Sequence, residues 1–252
     1  MIGRAIAAEV VKLMTVRATR WLLAGAMVLG LAIVLLVGIV TNKLGEDLDN
    51  EVVVALAPFS GLPGIPGIAV LASTVIGVLS VTTEYRYNTM RTTFLAVPNR
   101  WAAMTAKTAV VASVCALGFL LAEVLSIAVF AVVGGGGPSF DPFGEGAGTY
   151  VTLPIAAAFC AVLGIAVGAV LRNAAGAITL LLAYLFVVDN VITTVPQTRE
   201  AGPYLPMSNL ENFIGIRFGD FPWPGGVSFG YLVVVIGLLW LAAVTVVARR
   251  DA

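Results

Sequence analysis

Histidine is absent from all 252 residues, cysteine occurs twice, and charged side chains make up only 11% of the chain. Without histidine there is no His-based zinc site, no Ser-His or Cys-His nucleophile pair and no His-ligated haem. Cys115 and Cys160 both fall inside apolar runs, where they read as small buried hydrophobes, not as a disulfide or metal pair. The three lysines, Lys12, Lys43 and Lys107, stand outside any G-x-x-x-x-G-K-[ST] context, so no phosphate-binding loop is present. A membrane aspartyl protease would need two intramembrane aspartates, and Asp189 is the one candidate. No catalytic residue, metal site or cofactor is therefore expected on this chain. Uphill transport would draw on a partner or an ion gradient. The charge balance is even, 14 basic and 14 acidic residues, and no nucleic-acid partner is expected.

What is present is apolar length. The composition is 60% apolar and the mean hydropathy is +1.01, against about 45–50% apolar in soluble domains. A helix crosses a ~30 Å hydrocarbon core with ~20 predominantly apolar residues. The expected fold is all-α: a polytopic membrane protein of one transmembrane domain over 1–252, with spans near 22–41, 62–82, 103–133, 150–171, 175–195 and 228–248. Pro58, Pro63, Gly64, Pro66 and Gly67 crowd the start of the second span, and an irregular backbone at that depth must be covered by protein or face water.

Arg4, Lys12, Arg17, Arg20, Arg86, Arg91, Arg100, Lys107, Arg172, Arg249 and Arg250 fall on one side of this topology, and Lys43, Arg199 and Arg217 on the other. The positive-inside rule then places both termini in the cytoplasm. Residues 1–20 do not span. Ile2, Ile6, Val10, Leu13 and Trp21 recur at helical spacing, while Arg4, Lys12, Thr15 and Thr19 share another face. Such a helix lies in the headgroup plane, drawn to anionic lipid. It is either a topology anchor or a docking surface for a cytoplasmic partner, carried by Glu9, Lys12 and Arg17. On the outer side, 196–227 is too polar to span and too long for a turn; it is expected to re-enter as short helices over the outer mouth.

The loop "TTEYRYNTMRTTFLAVPNRW", 82–101, concentrates scarce charge between two spans. Thr82 or Thr83 can cap a helix, Glu84 suits its first turn, and Pro98 ends it. Tyr87, Met90 and Phe94 would then share a face, with Glu84 and Arg91 adjacent. A short cytoplasmic helix of this kind can key into a groove on a soluble subunit.

"AAEVVKLMTVRATRW" and "TTEYRYNTMRTTFLAVPNRWAAMTAK" resemble the permease subunits of the ABC transporter type-2 family, in the compact six-span branch of antibiotic or bacteriocin immunity and drug-efflux permeases. Glu84, Arg86, Thr89, Arg91, Pro98 and Arg100 match the family's E-x-R-x-x-T-x-R…P-x-R pattern. The resemblance implies that 83–98 is a coupling helix and that Glu84, Arg86, Tyr87, Thr89, Met90, Arg91, Phe94 and Arg100 meet an ATPase. It implies two ATPase subunits holding ATP and Mg, and a second permease subunit, identical or paralogous. It also implies a bacterial plasma-membrane location and export of a small-molecule, peptide or lipid substrate. Gly164, Gly168 and Gly176 are either candidates for close packing between permeases or glycines that lipid-embedded helices simply tolerate. A proton-coupled secondary transporter and a non-transporting anchor or sensor are the alternatives.

Two acids lie within spans, Glu123 and Asp189. Each is roughly 22 Å from the inner edge at 1.5 Å per residue. They either line a translocation pathway in the outer half, or are protonated or hydrogen-bonded to Ser126 and Asn190 respectively.

Overall fold

The computed structural model describes residues 2–44, 58–62, 65–97, 99–133, 148–216 and 221–250. Apolar runs bounded by charge, glycine or proline become helices, in the order α1 (Ile2–Thr15), α2 (Arg17–Leu44), α3 (Ile68–Arg86), α4 (Thr89–Ala96), α5 (Arg100–Val133), α6 (Thr149–Leu171), α7 (Ala174–Thr194), α8 (Pro206–Ile214) and α9 (Gly225–Arg250). Six of them, α2, α3, α5, α6, α7 and α9, are long and apolar enough to cross a membrane. The chain is a multi-pass helical membrane protein.

Each of the six long helices overlies one of the expected spans, and the second helix starts at Ile68 instead of 62. Glycine and proline explain the shift. Gly61 takes φ 104°, a conformation open to glycine. It begins a two-residue strand, β1 (Gly61–Leu62), pairing antiparallel with β2 (Ile65–Pro66). Gly67 then passes so close to the preceding turn that a Cβ would lie 2.3 Å from the Phe59 carbonyl oxygen. This irregular segment is covered by protein, as the bilayer argument requires: Phe59, Ser60, Gly61, Pro66 and Gly67 are all buried. Pro63 and Gly64 lie outside the described residues.

Helices α3 and α6 form the centre. Within their most apolar windows 61% of residues are buried, against 22–28% in the other four long helices. Glycine sets their separation. A Cβ on Gly77 would meet the Ala161 carbonyl oxygen at 2.1 Å, and one on Gly164 would meet that of Thr74 at 2.2 Å. A Cβ on Gly168 would lie 3.2 Å from the Val78 backbone. Gly164 and Gly168, expected between two permeases, therefore serve contact within one chain. Only Gly176 of the three is exposed.

Helix α7 is interrupted by a π-helical turn, Tyr184–Val188, directly before Asp189. Beyond it, α8 buries Met207, Leu210 and Ile214 on one face. Asn209 Nδ2 donates to the Pro203 carbonyl at 2.7 Å, Trp223 Nε1 donates to Asn209 Oδ1 at 3.1 Å, and Asn212 Nδ2 donates to Ser228 Oγ at 2.9 Å. Phe159, Phe213 and Phe229 stack beneath it with centroids 5.4–6.5 Å apart. Side-chain hydrogen bonds thus hold the polar α8 segment against α9, and the Phe159 contact holds it against α6.

Candidate functional site

Four charged side chains meet at the end of the bundle that carries α1 and α4. Glu84 projects from the last turn of α3, Lys107 from the third turn of α5, and Glu9 and Lys12 from α1. Lys107 Nζ lies 2.6 Å from Glu9 Oε2 and 2.9 Å from Glu84 Oε1. Lys12 Nζ lies 2.7 Å from Glu9 Oε1 and 2.9 Å from Glu84 Oε1, and donates to Thr93 Oγ1 of α4 at 3.0 Å. The cluster is neutral overall and joins four helices. The Lys107 side chain is 3% exposed. Pairing of this kind makes a buried charge tolerable, and removing one partner strands the rest.

Protonation follows from the same contacts. Burial pushes the Glu9 carboxyl upward, but Lys107 and then Lys12 outweigh it and hold the group below its ordinary range. Burial works against the Lys12 ammonium, yet hydrogen bonds to Glu9 and Glu84 raise it above its ordinary value.

The single helix expected over 83–98 is two elements. Thr82 and Thr83 do not cap a new helix: their hydroxyls donate to the Val78 and Leu79 carbonyls within α3, at 2.8 and 2.6 Å. Helix α3 runs on to Arg86, and the chain turns at Asn88, whose φ of 56° is left-handed, a region asparagine tolerates. Glu84 therefore faces the bundle and is buried, not part of an exposed docking face. The face of α4 is corrected too. Met90 is buried and Phe94 half-buried beneath the Arg100 guanidinium, 5.4 Å from the ring centroid. Tyr87, Arg91 and Leu95 point outward, with Leu95 82% exposed. Periodicity alone named the other side because it could not see the turn at Asn88.

Arg86 is exposed, its guanidinium 5.7 Å from the Tyr87 ring. Thr89 is exposed, and its hydroxyl donates to the Glu84 carbonyl at 3.4 Å. Arg100 Nη1 donates to the Ala248 carbonyl at 2.6 Å, tying the start of α5 to the end of α9. Pro98 lies outside the described residues. On α1 the packing face is Ala5, Glu9 and Leu13, while Ile6 and Val10 are each 38% exposed. Arg17 opens α2 and is exposed. So Glu9 and Lys12 turn toward the bundle and Arg17 does not join them. Sequence reasoning missed Lys107 and Thr93 as members of the cluster. The signal available was a lysine set eight residues into an apolar helix, where a charge needs a partner.

A cleft of about 180 Å³ lies between α1, α4 and α5, with Glu9, Lys12 and Thr93 in its wall. Among the described residues no three potential ligands gather as a metal site.

The two intramembrane acids are separate from all this. Glu123 has no solvent exposure, and neither carboxyl oxygen has a hydrogen-bond partner among the described residues. Ser126 donates to the Glu123 backbone carbonyl at 2.8 Å, not to its carboxyl. Asp189 is 2% exposed and has interaction partners within the chain. Asn190 Nδ2 donates to the Phe186 carbonyl at 3.2 Å. A small apolar cavity of about 20 Å³ between α6, α7, α8 and α9 is lined by neither acid.

The architecture defines a class, the multi-pass helical membrane protein, and the comparisons go no further. No family model and no curated protein matches the chain.

Proposed function

We propose that this chain is the permease subunit of an ATP-driven exporter, moving a small hydrophobic or amphipathic compound such as a drug, antibiotic, peptide or lipid. In this reading α4 is the coupling helix, α1 lies in the cytoplasmic headgroup plane with Ile6 and Val10 toward lipid, and both termini are cytoplasmic. The Arg199–Tyr204 turn and α8 form the outer re-entrant segment. A second permease copy or paralogue completes the route. Two ATPase subunits carry ATP and Mg, since this chain has no phosphate-binding loop.

One observation carries the reading. Helix α4 is anchored from beneath by Met90, Phe94 and Thr93, and it presents Arg91 and Leu95 outward, with Tyr87 exposed in the turn just before it. A solvated connector needs no such anchoring, and an 82% exposed leucine between cations suits an interface. The buried charge cluster ties this helix to α1, α3 and α5, so force applied at α4 reaches two spans.

Co-expression with an ATPase that carries a phosphate-binding loop tests it. Wild type should retain the ATPase through purification. Arg91→Glu, exposed and outside the core, should weaken retention about a hundredfold, since like-charge juxtaposition costs several kcal/mol and ~1.4 kcal/mol is tenfold. Tyr87→Ala and Leu95→Ala should act in the same direction. Wild-type retention in all three variants would remove the exporter reading. A proton-coupled secondary transporter is favoured by one observation, the buried Glu123 carboxyl with no hydrogen-bond partner among the described residues; it predicts transport undisturbed by Arg91→Glu.

A further inference from the structure

The sequence contains no Lys or Arg from 44 to 85 or from 108 to 171. Those stretches supply the hairpin, α3 as far as Tyr85, most of α5 and all of α6. Within α5 the nearest cation to Glu123 is Lys107, 16 residues away, or about 24 Å along the helix, and it is already paired with Glu9 and Glu84. Helix α2 carries its charges, Arg17, Arg20 and Lys43, at its two ends. Glu123 is therefore a carboxyl at full burial with no cation at its depth on α2, α3, α5 or α6 among the described residues. Such a group is stable only with a positive partner, a proton or a bound cation.

Its surroundings are aromatic. Phe119, Glu123 and Ser126 lie on the buried stripe of α5. Phe119 is one turn before Glu123 on the same face. Phe59 packs edge-on against it, centroids 6.3 Å apart at 62°. The Phe59 ring occupies the space over Gly30 of α2, where a Cβ would lie 2.2 Å from it. Glycine at position 30 is what lets the ring enter. An acid one turn from a buried aromatic pair is the donor set that recognises an ammonium or phosphonium centre on an apolar body.

We propose that Glu123 is the counter-charge of a binding site for a hydrophobic organic cation, with Phe59 and Phe119 as its aromatic wall, closed over in the present arrangement by α2 and the turn at Phe59. Calling that cation a substrate rests on the exporter reading; binding does not. The test uses the permease alone, without any ATPase. A failure here therefore leaves coupling untouched, and loss of ATPase retention leaves this site standing.

The full chain in lipid nanodiscs is titrated with tetraphenylphosphonium and with tetraphenylborate, near-equal in size and opposite in charge. Wild type should prefer the cation. Glu123→Gln should lose at least about thirtyfold in cation affinity, the scale for removing one partner of a buried charge pair, while borate binding stays. Glu123→Asp should retain part of the preference, and Phe119→Leu should lower it less than Glu123→Gln does. Wild type also supplies a measurement that needs no variant. Dicyclohexylcarbodiimide adds across one C=N bond to a buried carboxylic acid, with no leaving group, and the peptide gains the mass of the whole reagent. Saturating tetraphenylphosphonium should slow this labelling at Glu123 at least about tenfold. Labelling unaffected by the cation, or equal binding of the two probes, would show Glu123 to be a protonated core residue only and overturn the assignment.

Discussion

Two groups of buried acids in this chain are neutralised in opposite ways. At the termini end, Glu9 and Glu84 are met by Lys12 and Lys107 at 2.6–2.9 Å, each cation on a different helix. In the membrane layer, Glu123 is buried more completely and has no hydrogen-bond partner among the described residues. The first arrangement is a joint: its energy depends on four helices staying together. The second is a single buried carboxyl, which burial tolerates as the neutral acid or beside a cation. A structural joint should fail when one member is removed, whereas a ligand site should tolerate loss of its charge and lose binding instead.

The largest expected effect is at the joint. Lys107→Met leaves Glu9 and Glu84 buried with only Lys12, and should lower stability by about 3–5 kcal/mol, the range for stranding a buried charge. Thermal unfolding in detergent, with Glu123→Gln in parallel, reads the contrast. If both variants melt together, the distinction between joint and ligand site is lost.

Next is the central contact that both regions depend on. Gly77→Val places a side chain where a Cβ already lies 2.1 Å from the Ala161 carbonyl. Backbone cannot yield there as a flexible side chain would, so α3 and α6 must separate. A loss of about 1–3 kcal/mol or more is expected from overpacking, with the same unfolding assay as readout. Gly176→Ala, at an exposed site, should change little, and an equal effect at both positions would contradict the packing described.

A smaller effect is expected from pH, and it should appear only at the joint. The folded Glu9 carboxyl titrates below its ordinary 4.5, so its contribution is full above that value and lost as pH falls through the lowered one. Lys12 is raised above its ordinary 10.5, so its contribution is full below that value and lost as pH rises beyond it. Between these limits the α1 contact should be flat with pH. Protection of the Ile2–Thr15 amides, measured against the intrinsic exchange rate at each pH, should fall below about pH 4.5 while amides of α3 and α6 stay protected. Uniform loosening of all three would show that the cluster is not what holds α1.

The smallest expected effect is the stability of Glu123→Gln, within about 1 kcal/mol of wild type, because the amide keeps the shape and no partner is stranded. A loss as large as that of Lys107→Met would mean that Glu123 belongs to a joint after all.

The helical spans follow from the sequence because they depend on local length and apolarity, which no tertiary contact has to supply. The same holds for the irregular start of α3, since Pro66 lacks the amide hydrogen a helix interior needs and Gly61 takes a positive φ without strain. The burial of Cys115 and Cys160 likewise follows from the runs that contain them. Only the tertiary structure decided where the polar groups face. Asn88 in a left-handed conformation rotates α4 so that Met90 and Phe94 point in, and Leu95, unremarked in the periodicity, points out. Glu84 and Lys107 are 23 residues apart on antiparallel helices and Glu9 is 98 residues from Lys107; their meeting depends on how α1, α3 and α5 pack. Gly164 and Gly168 could have packed against any helix, and the close approach of Thr74 and Val78 assigned them to α3. Apolar length is a property of a segment and can be read in one dimension. Partnership between charges is a property of distance in three, and in a low-dielectric layer that distance separates a charge pair from a carboxyl that must find its partner elsewhere.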